Sequence, residues 1–100
     1  MNWVDTTSYS RDDTKREPRI WELNLGNRIV LKVHRYVGID GTWFATAYLN
    51  GSELLSMIDL HTDDAEKAKA MGVIKFRCAL AVYKSVIDTA ISALNESMKE

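Results

Sequence analysis

The sequence predicts an α+β domain in which a four-stranded antiparallel meander is packed against one long C-terminal helix. Three observations carry this. The last third of the chain, DDAEKAKAMGVIKFRCALAVYKSVIDTAISALNESMKE, repeats apolar residues at steps of three and four, the period of a helix. Between Ile20 and Ile58 the period falls to two, that of a strand. The strand-like runs are separated by Gly26-Asn27, Gly38-Ile39-Asp40-Gly41 and Asn50-Gly51, short turn-forming segments that join antiparallel neighbours.

Residues 1–17, MNWVDTTSYSRDDTKRE, have no sustained period and are rich in Thr, Ser, Asp and Arg, so they are expected to form a flexible arm ahead of a single domain, 18–100. Trp3 and Tyr9 are the aromatic residues of this arm. Trp3 is either an anchor that docks on a groove, the back of the long helix included, or incidental. Pro18 closes the arm and biases Glu17 towards an extended conformation. In the first strand Trp21, Leu23 and Leu25 point one way, and Glu22 and Asn24 the other. The second, Arg28 to Val37, places Ile29, Leu31 and Val33 inward and Lys32, His34 and Tyr36 outward. The third, Trp43 to Leu49, admits two registers. With Trp43, Ala45, Ala47 and Leu49 inward, two alanines lie under the helix, where Ala79 and Ala90 would allow close approach, and Phe44 and Tyr48 face outward. The other register buries Phe44 and Tyr48. The first is preferred because small meets small. A shorter fourth strand, Glu53 to Ile58, leads through Asp59-Leu60-His61-Thr62 into the helix.

The helix is expected from about Asp63 to about Met98. Its stripe runs through Ala65, Ala68, Gly72, Phe76, Ala79, Tyr83, Val86, Ala90 and Leu94, widened by Leu80, Ile87, Ile91 and Met98. Thr62, Asp63 and Asp64 followed by Glu66 mark its start, because short acceptor side chains satisfy the first free amides and carboxylates suit the positive end of the dipole. Gly72 is the weak point, at a cost of about 1 kcal/mol against alanine. Such a helix would be about 50 Å long, whereas strands of six or seven residues reach only about 20 to 23 Å. One end must overhang the sheet. On the back of the stripe Ile74, Cys78 and Ala81 are also apolar, which points to a second interface there, in a homodimer or with a partner protein, unless a loop or the arm covers them.

With 100 residues, 46% hydrophobic and 27% charged, the chain has the composition of one ordinary globular domain. A net charge of -1 and a pI near 6.1 argue against a general affinity for nucleic acid or anionic membrane. One cysteine, Cys78, excludes an internal disulfide framework and suits a reducing cytoplasm. Neither a leader-like N-terminus nor an apolar run long enough to span a membrane is read. Asp59, His61, Asp63 and Asp64 are the one cluster with metal-ligand residue types, but it lacks a second His or Cys and is better read as capping and loop solvation. No nucleophile sits on a catalytic turn, and no glycine-rich loop opens a helix. No catalytic residue, cofactor or metal is therefore expected.

The outward sheet face, with Lys32, His34, Tyr36, Phe44 and Tyr48, is the expected partner-binding surface. Ile74, Cys78 and Ala81 are the expected self-association surface. The same aromatic and basic sheet face could instead stack bases and bind nucleic acid, the second expectation. Three strands followed by a helix look like the later part of a double-stranded RNA-binding domain, but Asp63, Asp64 and Glu66 stand where that family has a lysine cluster. A structural or assembly homo-oligomer is third. The runs Trp21-Glu22-Leu23, Leu31-Lys32-Val33-His34-Arg35 and Gly41-Thr42-Trp43-Phe44, with the helix opening Asp-Asp-Ala-Glu-Lys-Ala-Lys-Ala, give the layout over about residues 20–90. That layout is similar to small phage and prophage accessory proteins. What the resemblance implies is a non-enzymatic protein of the host-cell cytoplasm, of the kind that inhibits bacterial defence complexes such as CRISPR-Cas. Those inhibitors share no common fold, so no residue role follows from it.

Overall fold

The structure is a computed structural model that describes residues 1–9, 17–35 and 41–99. Strands β1 (Trp3–Asp5), β2 (Ile20–Asn24), β3 (Val30–Arg35), β4 (Trp43–Leu49) and β5 (Ser52–Asp59) form one antiparallel sheet in sequence order, and helix α1 (Ala65–Met98) packs on one face of it. Among the described residues the sheet thus has five strands, not the expected four. The added strand is Trp3–Asp5, too short to carry a readable alternation. Polar side chains fasten it. The Asp5 carboxylate accepts the Thr7 amide (3.0 Å) and the Tyr9 hydroxyl (2.5 Å), and Thr7 Oγ1 accepts the amides of Arg19 (2.8 Å) and Ile20 (2.9 Å). The Thr and Asp content that reads as a loose arm is here a set of turn and strand acceptors.

Register settles the faces. Trp3 stands opposite Leu23, Leu23 opposite Leu31, and Leu31 opposite Ala47; Asp5, Trp21, Val33 and Ala45 form the next row. Both rows face α1, and Leu31, Val33, Ala45 and Ala47 are wholly buried. The register that places Trp43, Ala45 and Ala47 inward is the one observed. Trp3 accordingly lies on the helix-facing side of the sheet beside Trp21, not on the back of α1. At the first hairpin Gly26 C=O accepts the Ile29 amide (2.9 Å), and Asn27 and Arg28 both take positive φ (51° and 58°). The central pair of that turn is therefore Asn27-Arg28, one residue later than the glycine suggests. In β5 two residues, Ser56 and Met57, oppose the single Thr46, a bulge at which Met57 has φ 47° and its amide donates to Thr46 Oγ1 (3.3 Å).

Asp64 caps α1, its Oδ1 accepting the amides of Glu66 (2.9 Å) and Lys67 (3.2 Å). The helix then crosses the sheet at Gly72, where an added Cβ would lie 2.8 Å from Val33 Cγ2, 3.8 Å from Leu31 Cδ2 and 3.9 Å from Ala45 Cβ. The expected meeting of small residues is thus made by Ala68 and Gly72, not by Ala79 and Ala90. Ala79 packs at the margin of the core and Ala90 is exposed. Gly72 is a point of contact inside an unbroken helix.

The sheet soon runs out beneath α1. Trp43, at the start of β4, donates its indole N–H to the Asp63 carbonyl (3.2 Å), so helix and strand begin together. Seven strand residues span about 23 Å, a distance the helix covers in about 15 residues. Burial agrees, since Ala79 and Leu80 are the last half-buried positions and every residue from Ala81 to Lys99 is exposed. About 27 Å of helix therefore stands clear of the sheet. The molecule measures 68 × 25 × 22 Å with a radius of gyration of 17.4 Å, against about 13 Å for a compact 100-residue domain.

Candidate interaction surfaces

Among the described residues, two extended surfaces and one small patch are left open by this architecture. The first is the overhanging half of α1. Tyr83, Val86, Ile87, Ile91, Leu94 and Met98 are between 41% and 83% exposed, and they continue the face that Ala68, Gly72 and Phe76 turn to the sheet, three and four residues apart. Pattern reading counts them as core, because it sees the phase of a stripe and not where its partner layer stops. The mismatch between helix and strand lengths signalled that one end overhangs, but not which end.

Ile74, Cys78 and Ala81 lie on the opposite side of the helix and are exposed, and with Arg77 they line a shallow depression of about 300 Å³. Beyond Ala81 that side continues with Ser85, Asp88 and Ser92, so its apolar patch ends after about two turns. No described segment covers it.

The second surface is the outer face of the sheet, where the expected partner residues Lys32, His34, Phe44 and Tyr48 are all half-buried; Tyr36 lies outside the described residues. The fold divides these into two groups. His34 stands opposite Phe44, with ring centroids 6.2 Å apart and planes inclined by 26°, and its Nε2 lies 3.0 Å from Thr46 Oγ1. Burial, and after it the charge of Lys32, holds the His34 imidazole below its ordinary pKa, favouring the neutral ring. This group is a cross-strand cluster that stiffens the sheet. Lys32 and Tyr48 instead line a depression of about 570 Å³ with Arg28, Val30, Glu22 and the two hairpin turns.

A further cluster was not read from the sequence. Lys69 lies with its side chain only 12% exposed, its Nζ 3.8 Å from the centroid of Trp21 and 5.9 Å from that of Trp3, and its ammonium bonds Glu66 at 3.0 Å. It closes the edge of the core where β1 joins the sheet, a structural role. The acidic loop has the capping role expected of it: Asp59 Oδ1 accepts the His61 amide (2.8 Å) and Asp64 caps the helix. Among the described residues no three His, Cys, Asp or Glu side chains stand together as metal ligands, and no helix is long and apolar enough to cross a membrane. Comparisons with protein-family models, with curated proteins and with solved structures gave no match.

Proposed function

We propose that the protein is a non-catalytic protein-binding module whose contact surfaces are the overhanging half of α1 and the open face of its sheet. The observation that carries this reading is the apolar stripe from Tyr83 to Met98, which packs on none of the described residues outside its own helix. A helix end that met only water would gain nothing from Ile91 and Leu94 in phase with the buried face. The narrower reading, an inhibitor that occupies a surface of a host defence complex, is supported by the resemblance in layout alone. A nucleic-acid-binding sheet face is the second reading, supported by Arg28, Lys32 and Tyr48 around one depression; Glu22 in the same depression counts against phosphate there.

The test is capture by the tagged chain from a bacterial lysate, with and without nuclease, for the native protein, for Ile91→Glu with Leu94→Glu, and for Lys32→Glu with Tyr48→Ala. A stoichiometric protein that survives nuclease and is lost with one of the two pairs supports the reading and assigns the surface. Retention of nucleic acid alone, released as salt rises, replaces it with the second reading.

A further inference from the structure

We infer that the overhanging half of α1 pairs with the same half of a second copy of this chain, running antiparallel. The inference rests on the protein-binding reading and names the occupant of the stripe.

The spacing is that of a helix–helix seam. Leu80, Lys84, Ile87, Ile91, Leu94 and Met98 follow one another at alternating steps of four and three, which keeps a seam facing one partner helix. Five of the six are apolar. Phase then decides the direction. The seam continues the face that the first half of α1 turns to the sheet, so in a parallel pair both sheets would have to occupy the same gap between the two helices. An antiparallel pair places the sheets at opposite ends. Each helix tip then lies beside the partner's overhang and reaches the level of Leu80, where that partner's own sheet stops covering it.

The seam also matches itself end for end. Turned about the level of residue 89, it sets Leu80 against Met98, Lys84 against Leu94 and Ile87 against Ile91, and the two-fold axis makes each pairing twice. No seam residue is left facing water. Lys84 lays its aliphatic stem along Leu94 and carries its ammonium to the rim, while Ala90 beside the axis lets the helices approach closely. At roughly 100 Å² of apolar surface per large side chain, the exposed parts of the five apolar seam residues amount to on the order of 500 Å² over two copies. With Tyr83 and the stems of the flanking polar residues added, the pair belongs with the small, reversible interfaces below about 1,200 Å², as a monomer–dimer equilibrium in the micromolar range requires.

The experiment is sedimentation equilibrium of the full chain from low to high micromolar concentration. The native protein should pass from monomer to dimer, and Ile91→Glu should weaken dimerisation by about 100-fold or more, because each substitution acts twice in the pair. Residues from Ala81 onward do not touch the sheet, so the variant should keep the fold, checked by its circular dichroism and thermal melt. Spin labels on Glu96→Cys, off the seam, in a Cys78→Ser background read the direction: about 25 Å between labelled backbones for the antiparallel pair, about 14 Å for a parallel one. The short distance overturns the inference. So does a dimer that resists Ile91→Glu and dissolves with Ile74→Glu, which would move the interface to the back of the helix. A strict monomer overturns it too, and the binding reading then stands or falls separately on whether the stripe captures a different protein in an Ile91-dependent way.

Discussion

Replacing Gly72 by alanine sets two opposed effects against each other at one atom. In an exposed helix interior the change stabilises by about 1 kcal/mol, because alanine restricts the unfolded chain and favours the helix. Here the new Cβ would lie 2.8 Å from Val33 Cγ2, well inside the roughly 3.5–4.0 Å of an optimal carbon–carbon contact. Val33 is wholly buried on the central strand, so the strain must be taken up by the helix–sheet spacing. Overpacking of this kind costs about 1–3 kcal/mol, and with a buried neighbour that has no room to move the upper half of that range applies. The expected net effect of Gly72→Ala is a loss of about 1 kcal/mol, or about 4–8 °C in melting temperature for a domain of this size. Urea unfolding in the Ile91→Glu background measures it without coupling to self-association. The cycle is completed with Val33→Ala, which removes the clashing methyl; in that background the same Gly72→Ala change should turn stabilising. A gain of about 1 kcal/mol from Gly72→Ala in the native core would refute the close approach at this position.

Three further outcomes follow from the geometry. Asp64→Ala should cost about 1 kcal/mol of stability and Asp64→Asn much less, because the asparagine oxygen still accepts the amides that Asp64 holds; equal losses by urea denaturation would mean that the charge matters more than the cap. Lys69→Met keeps the packed stem and removes the ammonium from the Trp21 and Trp3 rings, and should cost about 0.5–2 kcal/mol, whereas an unchanged midpoint would reduce the contact to packing. His34, held below its ordinary value of 6.5 by burial and by Lys32, takes up its proton less readily folded than unfolded. Its contribution is therefore present above about pH 6.5 and lost as pH falls through the lower folded pKa. His34→Gln should flatten that part of the stability–pH profile, and an identical slope in the variant would exclude the imidazole as its source.

What the sequence made legible were features that repeat. Alternation between Ile20 and Ile58 and the helical period after Asp63 placed four of the five strands, the faces and the helix, and small residues in β4 pointed to close approach. Features that depend on a single side chain were not legible. Trp3–Asp5 is too short for a period and is held by Asp5 and Thr7. The turn at Asn27-Arg28 slips by one because three successive residues, Gly26 included, take positive φ. At the candidate surfaces the residue types were readable and their grouping was not. Lys32 and Tyr48 share one depression while His34 and Phe44 stack on each other, and both facts come from register.

The two halves of α1 share one stripe but differ in what they put on it. Over the sheet the stripe is built from Ala65, Ala68 and Gly72, with Phe76 as its one large buried side chain, and a flat sheet can come close only to a helix so trimmed. Past Leu80 the same angular positions carry Tyr83, Ile87, Ile91, Leu94 and Met98. Large side chains of that kind would hold a sheet away, but they interdigitate well between helices about 8–10 Å apart. Val82, Val86, Ile87, Thr89 and Ile91 are β-branched and lower the intrinsic helicity of this half, so packing against a second helix would add to its stability. Among the described residues this stretch meets no other helix, and its side chains are of the size that the proposed pairing with a helix from outside would bury. The stripe's end-for-end match to itself is what favours a second copy as that partner in the proposal.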